Sequence, residues 1–242
     1  MGDIKAMLKL KKVNTFYEKS HVLFDVSLEV NKGEIVALVG RNGVGKTTTL
    51  STIMGLAPPR TGTITFKDEE IAGKKAYQIA MAGIGFVPEE RWIFPTLTVN
   101  QNLLMGIKPG QMGKKVEDGW TIERAYEFFP TLAARKNQKG EVLSGGEMQM
   151  LTIVRTLMGN PELILIDEAT EGLAPLIVEK VNEVIREINY HGTTVLLVEQ
   201  KLSVCLGLAH RIYVLSKGEI KWNGTPGELE QREDIRKHYL EV

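Results

Sequence analysis

The chain opens on a period-two pattern. Residues 8–13 and 22–30 alternate apolar and polar side chains, as strands with one covered face do, and residues 18–21 read as the turn between them. Asn31-Lys32-Gly33 is a second turn. Residues 35–39 are an unbroken apolar run, which predicts a strand covered on both faces. A glycine-rich loop follows. Residues 47–56 then predict a helix closed by Gly55, and residues 63–66 a short strand.

From about residue 98 to 159 strand signals vanish, and helical patterns stand around residues 121–129 and 147–158. Residues 108–119, rich in Gly and Lys, read as an exposed connection. A buried strand returns at residues 163–166, followed by an amphipathic helix over residues 175–190 with Ile177, Val181, Val184 and Ile188 on one face. Pro175 suits its first turn and Gly192 lies just past its end. Residues 194–198 and 212–215 complete a strand–helix–strand series, and residues 216–219 turn into a last short strand. The segment 225–242 reads as one or two short polar helices that close the sheet edge or pack on a partner. Strands alternating with helices imply an α/β fold with a largely parallel sheet, and no internal repeat interrupts it.

Composition narrows the classes. With 242 residues the chain can bury one substantial core, and 43% hydrophobic with 25% charged residues is ordinary for a globular protein. The 30 basic and 30 acidic residues cancel, without the surplus that nucleic-acid binders use against phosphate, so no nucleic-acid partner is expected. One cysteine, Cys205, permits no internal disulfide, and four scattered histidines lack metal-ligand spacing. The first residues lack an apolar stretch long enough for a signal peptide, and no window approaches the ~20 apolar residues of a membrane span. The expectation is a protein that is cytosolic or held at a membrane by something else.

Gly40-Arg41-Asn42-Gly43-Val44-Gly45-Lys46-Thr47 fits the phosphate-binding loop pattern, with a buried strand before it and a helix after it. Glycines let backbone N–H groups turn inward around phosphate oxygens, and the helix adds the positive end of its dipole. Lys46 can reach β- and γ-phosphates, Thr47 can offer a hydroxyl to Mg²⁺, and Thr48 can donate on the α-phosphate side. A guanine-reading Asn-Lys-x-Asp string is not found, so guanine specificity is not expected. Asp167 and Glu168 leave an apolar strand at the edge where α/β sheets bind ligands: Asp167 would hold Mg²⁺ and Glu168 would polarise an attacking water. Ser144-Gly145-Gly146-Glu147 begins a helix with a capping box. Two glycines at such a start are poor helix formers and make sense if a ligand approaches the backbone closely.

With Leu143 in front, that string resembles the LSGGQ-type motif of the ABC ATPase family, and the loop, this motif and the Asp-Glu strand follow in the family's order over nearly the whole chain. The resemblance implies an ABC ATPase fold: a nucleotide-binding core (residues 1–97 and 160–242) with an N-terminal antiparallel β subdomain, and an inserted helical subdomain (residues 98–159). It implies Mg²⁺-dependent ATP hydrolysis, with Ser144, Gly145, Gly146 and Glu147 closing over ATP held by a partner subunit. Tyr17 matches the family's adenine-stacking aromatic, or is simply an aromatic at a strand end. Glu89 stands where the family has a Mg²⁺-contacting glutamine, and Gln200 where it has a histidine; Gln200 can donate to the γ-phosphate but cannot carry a proton. Ala169 replaces a proline and Ala174 an aspartate. These departures, with Arg91 and Phe94, resemble the second ATPase of branched-chain amino-acid importers. That resemblance implies a peripheral subunit on the cytoplasmic face of the membrane. Its expected partners are a second ATPase (a heterodimer, or a homodimer in isolation), two transmembrane permeases and, indirectly, an external substrate-binding protein. Urea or amide import, a soluble non-transport ATPase and a regulatory nucleotide sensor are the alternatives. Trp92, Ile93 and Phe94 would line a permease-docking groove or pack beneath the helical subdomain.

Overall fold

The computed structural model describes residues 6–109 and 119–240. Most of the expected 108–119 connection therefore lies outside the described residues, as do residues 241–242.

Two sheets carry the fold. β1 (Ala6–Tyr17) and β2 (Ser20–Asn31) pair antiparallel, Leu10 opposite Leu28 and Val13 opposite Val26, so their alternation packs one face and exposes the other. The connection is tighter than the expected 18–21: only Glu18 and Lys19 lie between the strands, with Glu18 at φ 53°. The second sheet begins with β3 (Ile35–Val39), every residue buried, and leads through the glycine loop into α1 (Lys46–Ile53). Next come β4 (Thr61–Phe66), β5 (Glu69–Glu70), α2 (Ala76–Ala82) and β6 (Ile84–Val87). β4 pairs with β1, giving the first sheet the order β2-β1-β4-β5.

The middle of the chain is helical: α3 (Val99–Gly106), α4 (Ile122–Phe128), α5 (Pro130–Ala134) and α6 (Gly145–Leu157). Their buried side chains, among them Val99, Leu103, Leu132, Leu151 and Val154, join Ile164 and Ile166 in one core. β7 (Leu163–Asp167), α7 (Pro175–Tyr190), β8 (Thr194–Glu199), α8 (Leu202–Leu208), β9 (Arg211–Ser216) and β10 (Glu219–Gly224) follow. The second sheet runs β10-β9-β3-β8-β7-β6, parallel except for β10. Helix α7 presents Val181, Ile185 and Ile188 as its fully buried row, with Ile177 and Val184 only half-buried. Both rows keep the helical spacing; the buried one is turned from Val184 toward Ile185. After β10 come α9 (Pro226–Gln231) and α10 (Glu233–Ile235), whose Leu229 and Ile235 cover β3 and β9 beside Cys205, and a π-helical turn over Arg236–Leu240.

This topology positions the chemistry. The parallel strands end at one edge, where Val39 aligns with Glu199 and Asp167 with Val198. The loop after β3, the acids after β7, Gln200 after β8 and Glu89 after β6 therefore all emerge there, where open α/β sheets receive ligands.

Candidate nucleotide site

The loop after β3 is built for close backbone approach. A Cβ on Gly40 would lie 2.3 Å from the Leu215 carbonyl oxygen, and Gly45 enters α1 at φ 107°, a conformation open to glycine and strained for other residues. Among the cleft's lining residues are Asn42, Gly43, Gly45, Lys46, Thr47, Thr48, Glu89, Glu168 and Glu171. Gly40, Arg41 and Val44 belong to the same turn but do not line it.

Inside the cleft the sequence-expected groups already hold one another. The Lys46 ammonium, almost fully buried, lies 2.9 Å from Glu168 Oε1 and donates to the Arg41 carbonyl at 3.1 Å. Thr47 Oγ1 donates to Asp167 Oδ1 at 3.2 Å. Burial drives the Asp167 carboxyl up to about 6, with neighbouring Glu168 and Glu89 adding to the rise and Thr47 opposing it. Burial also works to raise Glu168, but hydrogen bonds with Glu171 and Lys46 outweigh it and hold its carboxyl below the ordinary glutamate range. The converse falls on Glu171, which that bond with Glu168 pushes up to about 7. No local sequence signal marks Glu171 as a site residue; its carboxyl reaches the site because Glu168, at φ 41°, turns the chain sharply after β7.

At the start of α6, Ser144 Oγ accepts from Glu147 N at 3.3 Å and Ser144 N donates to Glu147 Oε2 at 2.8 Å, closing the expected capping box. The bond from Ser144 N is the chief cause holding the Glu147 carboxyl low, with burial opposing it. The two glycines have neighbours within the chain: a Cβ on Gly145 would come 3.2 Å from Arg91 Nη1, and one on Gly146 2.9 Å from Ile177 Cγ2. Close packing against α7 and Arg91 thus accounts for part of what sequence reasoning ascribed to a ligand alone. None of Ser144, Gly145, Gly146 and Glu147 lines the cleft of the same chain. Neither do Tyr17, half-exposed at the end of β1, and Gln200, exposed beyond β8. Ala174 stands directly before α7 and leaves that helix start without a side-chain cap.

A parallel α/β sheet whose edge presents a phosphate-type loop against paired acids defines a nucleotide-binding protein of the P-loop class. Residues 23–171 match the family model for the ABC transporter, and the chain belongs to that family of ATP-hydrolysing subunits. It is 42% identical over 234 residues to the high-affinity branched-chain amino acid transport ATP-binding protein BraG of Pseudomonas aeruginosa, covering 97% of this chain and 99% of BraG. It is 35% identical over 239 residues to the lipopolysaccharide export system ATP-binding protein LptB of Escherichia coli, covering 97% of each. Its fold matches the dimeric post-hydrolysis ATP-binding cassette MJ0796 bound to ADP and Pi with a TM-score of 0.77 at 27% identity, over 91% of this chain and 99% of that one. Family cassettes work as dimers with transmembrane permease subunits. No helix among the described residues is long and apolar enough to cross a membrane.

Proposed function

We propose that this chain is the ATP-hydrolysing subunit of a branched-chain amino-acid importer, held on the cytoplasmic face of the membrane by two permeases and paired with a second, similar ATPase. The observation that carries the catalytic reading is the 2.9 Å contact between Lys46 and Glu168, which brings the glycine loop and the acid pair into one cleft.

The loop from Gly40 through Gly45, with Lys46, Thr47 and Thr48, cradles the phosphates through backbone N–H groups and the N-terminal end of α1. Tyr17 stacks on adenine. Thr47 and Asp167 would hold Mg²⁺ with Glu89 nearby, all as hard oxygen donors, and the ion supplies neutralisation of phosphate charge. No cluster of three or more metal-ligating side chains occurs among the described residues, which fits a cation that draws most ligands from phosphate and water. Arriving phosphates compete with Glu168 for the Lys46 ammonium. That releases Glu168 to take the proton of the attacking water, while Gln200 donates to the γ-phosphate. Ser144, Gly145, Gly146 and Glu147, at the end of the helical subdomain (residues 98–159), close over the partner's ATP, not this chain's own.

The permeases dock in the groove between α2, α3 and the segment after β6, lined in part by Phe86, Trp92, Phe94, Met105 and Arg155. The three apolar residues divide their work: Trp92 and Phe94 are 56% and 44% exposed on this groove, whereas Ile93 lines it while packing against the core. The branched-chain substrate class is supported by the 42% identity to BraG along almost the whole chain.

Glu168→Gln is the test. ATP turnover of the full-length chain should fall about 10²–10⁴-fold with ATP affinity retained, since a general base contributes that much. Unchanged turnover removes Glu168 from its role. In cells deleted for the chain, uptake of radiolabelled leucine, isoleucine and valine should fail; loss of urea or amide uptake alone would reassign the substrate.

A further inference from the structure

Arg91 has no part in the cleft, yet it touches both elements that complete it. Its Nη2 donates to the Glu171 carbonyl oxygen at 2.9 Å, and its Nε donates to Gln149 Oε1 at 3.3 Å. Gln149 lies on α6, one turn beyond Gly145, and is 1% exposed. Its amide nitrogen has no partner, so the bond from Arg91 is what satisfies this side chain's oxygen. Gly145 leaves room for the guanidinium: a Cβ there would stand 3.2 Å from Nη1.

The backbone is committed to the same arrangement. Arg91 sits at φ 52° and Glu168 at φ 41°, both in the left-handed region that costs a side-chain-bearing residue free energy and persists only where the surroundings enforce it. Between them runs a short relay. Arg91 holds the residue-171 carbonyl; the Glu171 N–H donates to the Glu168 carbonyl at 3.1 Å and its side chain lines the same cleft as Glu168; and Glu168 pairs with Lys46. On the other side Arg91 is covalently joined to Trp92, whose carbonyl accepts from the Arg155 guanidinium and whose side chain lies open on the groove.

Resting on the catalytic role proposed for Glu168, we infer that Arg91 is a positioning residue: its forked guanidinium fixes Glu171, and through Glu171 the general base, while tying both to α6 and to the groove-lining Trp92. A guanidinium suits this task because its donors lie in one rigid plane and can grip two acceptors at once, which a lysine head cannot do in the same geometry. Misplacing a reacting group by about an ångström through a distant change can cost on the order of 100-fold in rate, so the effect belongs in kcat.

The experiment is steady-state Mg-ATP hydrolysis by the full chain carrying Arg91→Met, Glu171→Ala, or both. Arg91→Met keeps the apolar stem and removes both donors. Its kcat should drop roughly 10- to 100-fold, with KM for ATP within about threefold of wild type. Because Arg91 acts through Glu171, the double variant should be no slower than the slower single one. The inference is overturned if Arg91→Met turns over ATP within about twofold of wild type, if only KM moves, or if the two losses multiply. Should Arg91→Met fail to fold, Arg91→Lys replaces it: a reduced kcat at unchanged KM supports the fork, and a wild-type kcat refutes it. Wild-type protein that hydrolyses no ATP would fail the catalytic reading itself, so the two failures are told apart in one assay.

Discussion

Asp167 carries the sharpest conflict in the molecule. It is 1% exposed, adjoins Glu168, and accepts a hydrogen bond from the Thr47 hydroxyl; burial lifts its carboxyl to about 6. A cation held there must displace whatever proton the group carries. Below pH 6 that displacement costs about tenfold in affinity per pH unit, and above it the cost vanishes. The expected result is a Mg²⁺ affinity, measured by titrating nucleotide-saturated protein with Mg²⁺ between pH 5 and 8, that climbs to near pH 6 and then levels off. A flat profile across that range would remove Asp167 as the ligand. Glu168 moves the other way because hydrogen bonds with Glu171 and then Lys46, joined by the Lys46 charge, outweigh its burial. At Asp167 the Lys46 charge is the weakest influence; neighbouring carboxyls in one cleft therefore move in opposite directions.

Among the elements, α3 owes its place to one buried amide. Asn102, fully buried, accepts from Phe94 N at 2.8 Å and donates from Nδ2 to the carbonyls of Phe94, Leu97 and Thr98. It therefore staples the groove-lining segment to the helix that follows it. Asn102→Leu keeps the volume but strands the Phe94 N–H, and should lower stability by about 1–3 kcal/mol. Urea denaturation measures this, and a shift below about 0.5 kcal/mol would contradict the staple. Asn102 also marks the limit of what was legible in the sequence. The strand patterns, the glycine-rich loop, the capping box at Ser144 and the Asp-Glu pair are local signals; the structure has the loop between β3 and α1, the box closed at Ser144, and the two acids at the end of β7. β6 is four residues long and interrupted by Gly85, too short for periodicity to register, and α2 and α3 carry a single buried residue and three. Arg91 depends on partners 58 and 80 residues away, and no window along the chain holds both ends of such a contact; Asn102 bonds residues four to eight positions back, in an irregular segment that carries no periodic signal.

At the scale of the whole molecule, a chain with no net charge gathers acids at one sheet edge and holds them unevenly. Asp167 stands at about 6, Glu171 at about 7 and Glu199 at about 7, each above its ordinary value. Glu199 does not line the nucleotide cleft. It lies in β8 between the loop-bearing and acid-bearing strands, 2% exposed, and accepts from Thr170 N at 3.3 Å and Thr170 Oγ1 at 3.0 Å. Burial raises it, and the Thr170 bonds only soften the rise. A carboxyl whose pKa is higher folded than unfolded binds protons more tightly in the native state. Its contribution is complete below pH 4.5, declines as pH rises from there to about 7, and is gone above. For Glu199 the span from 4.5 to about 7 corresponds to roughly 3 kcal/mol. Glu199→Gln cannot ionise and keeps an oxygen for both Thr170 donors. Its melting temperature should match wild type near pH 4.5, pull ahead between pH 5 and 7, and stay ahead at pH 8. Scanning both proteins without nucleotide across that range decides it: curves that run parallel would mean that Glu199 enters the fold already ionised, with its charge compensated along the sheet edge.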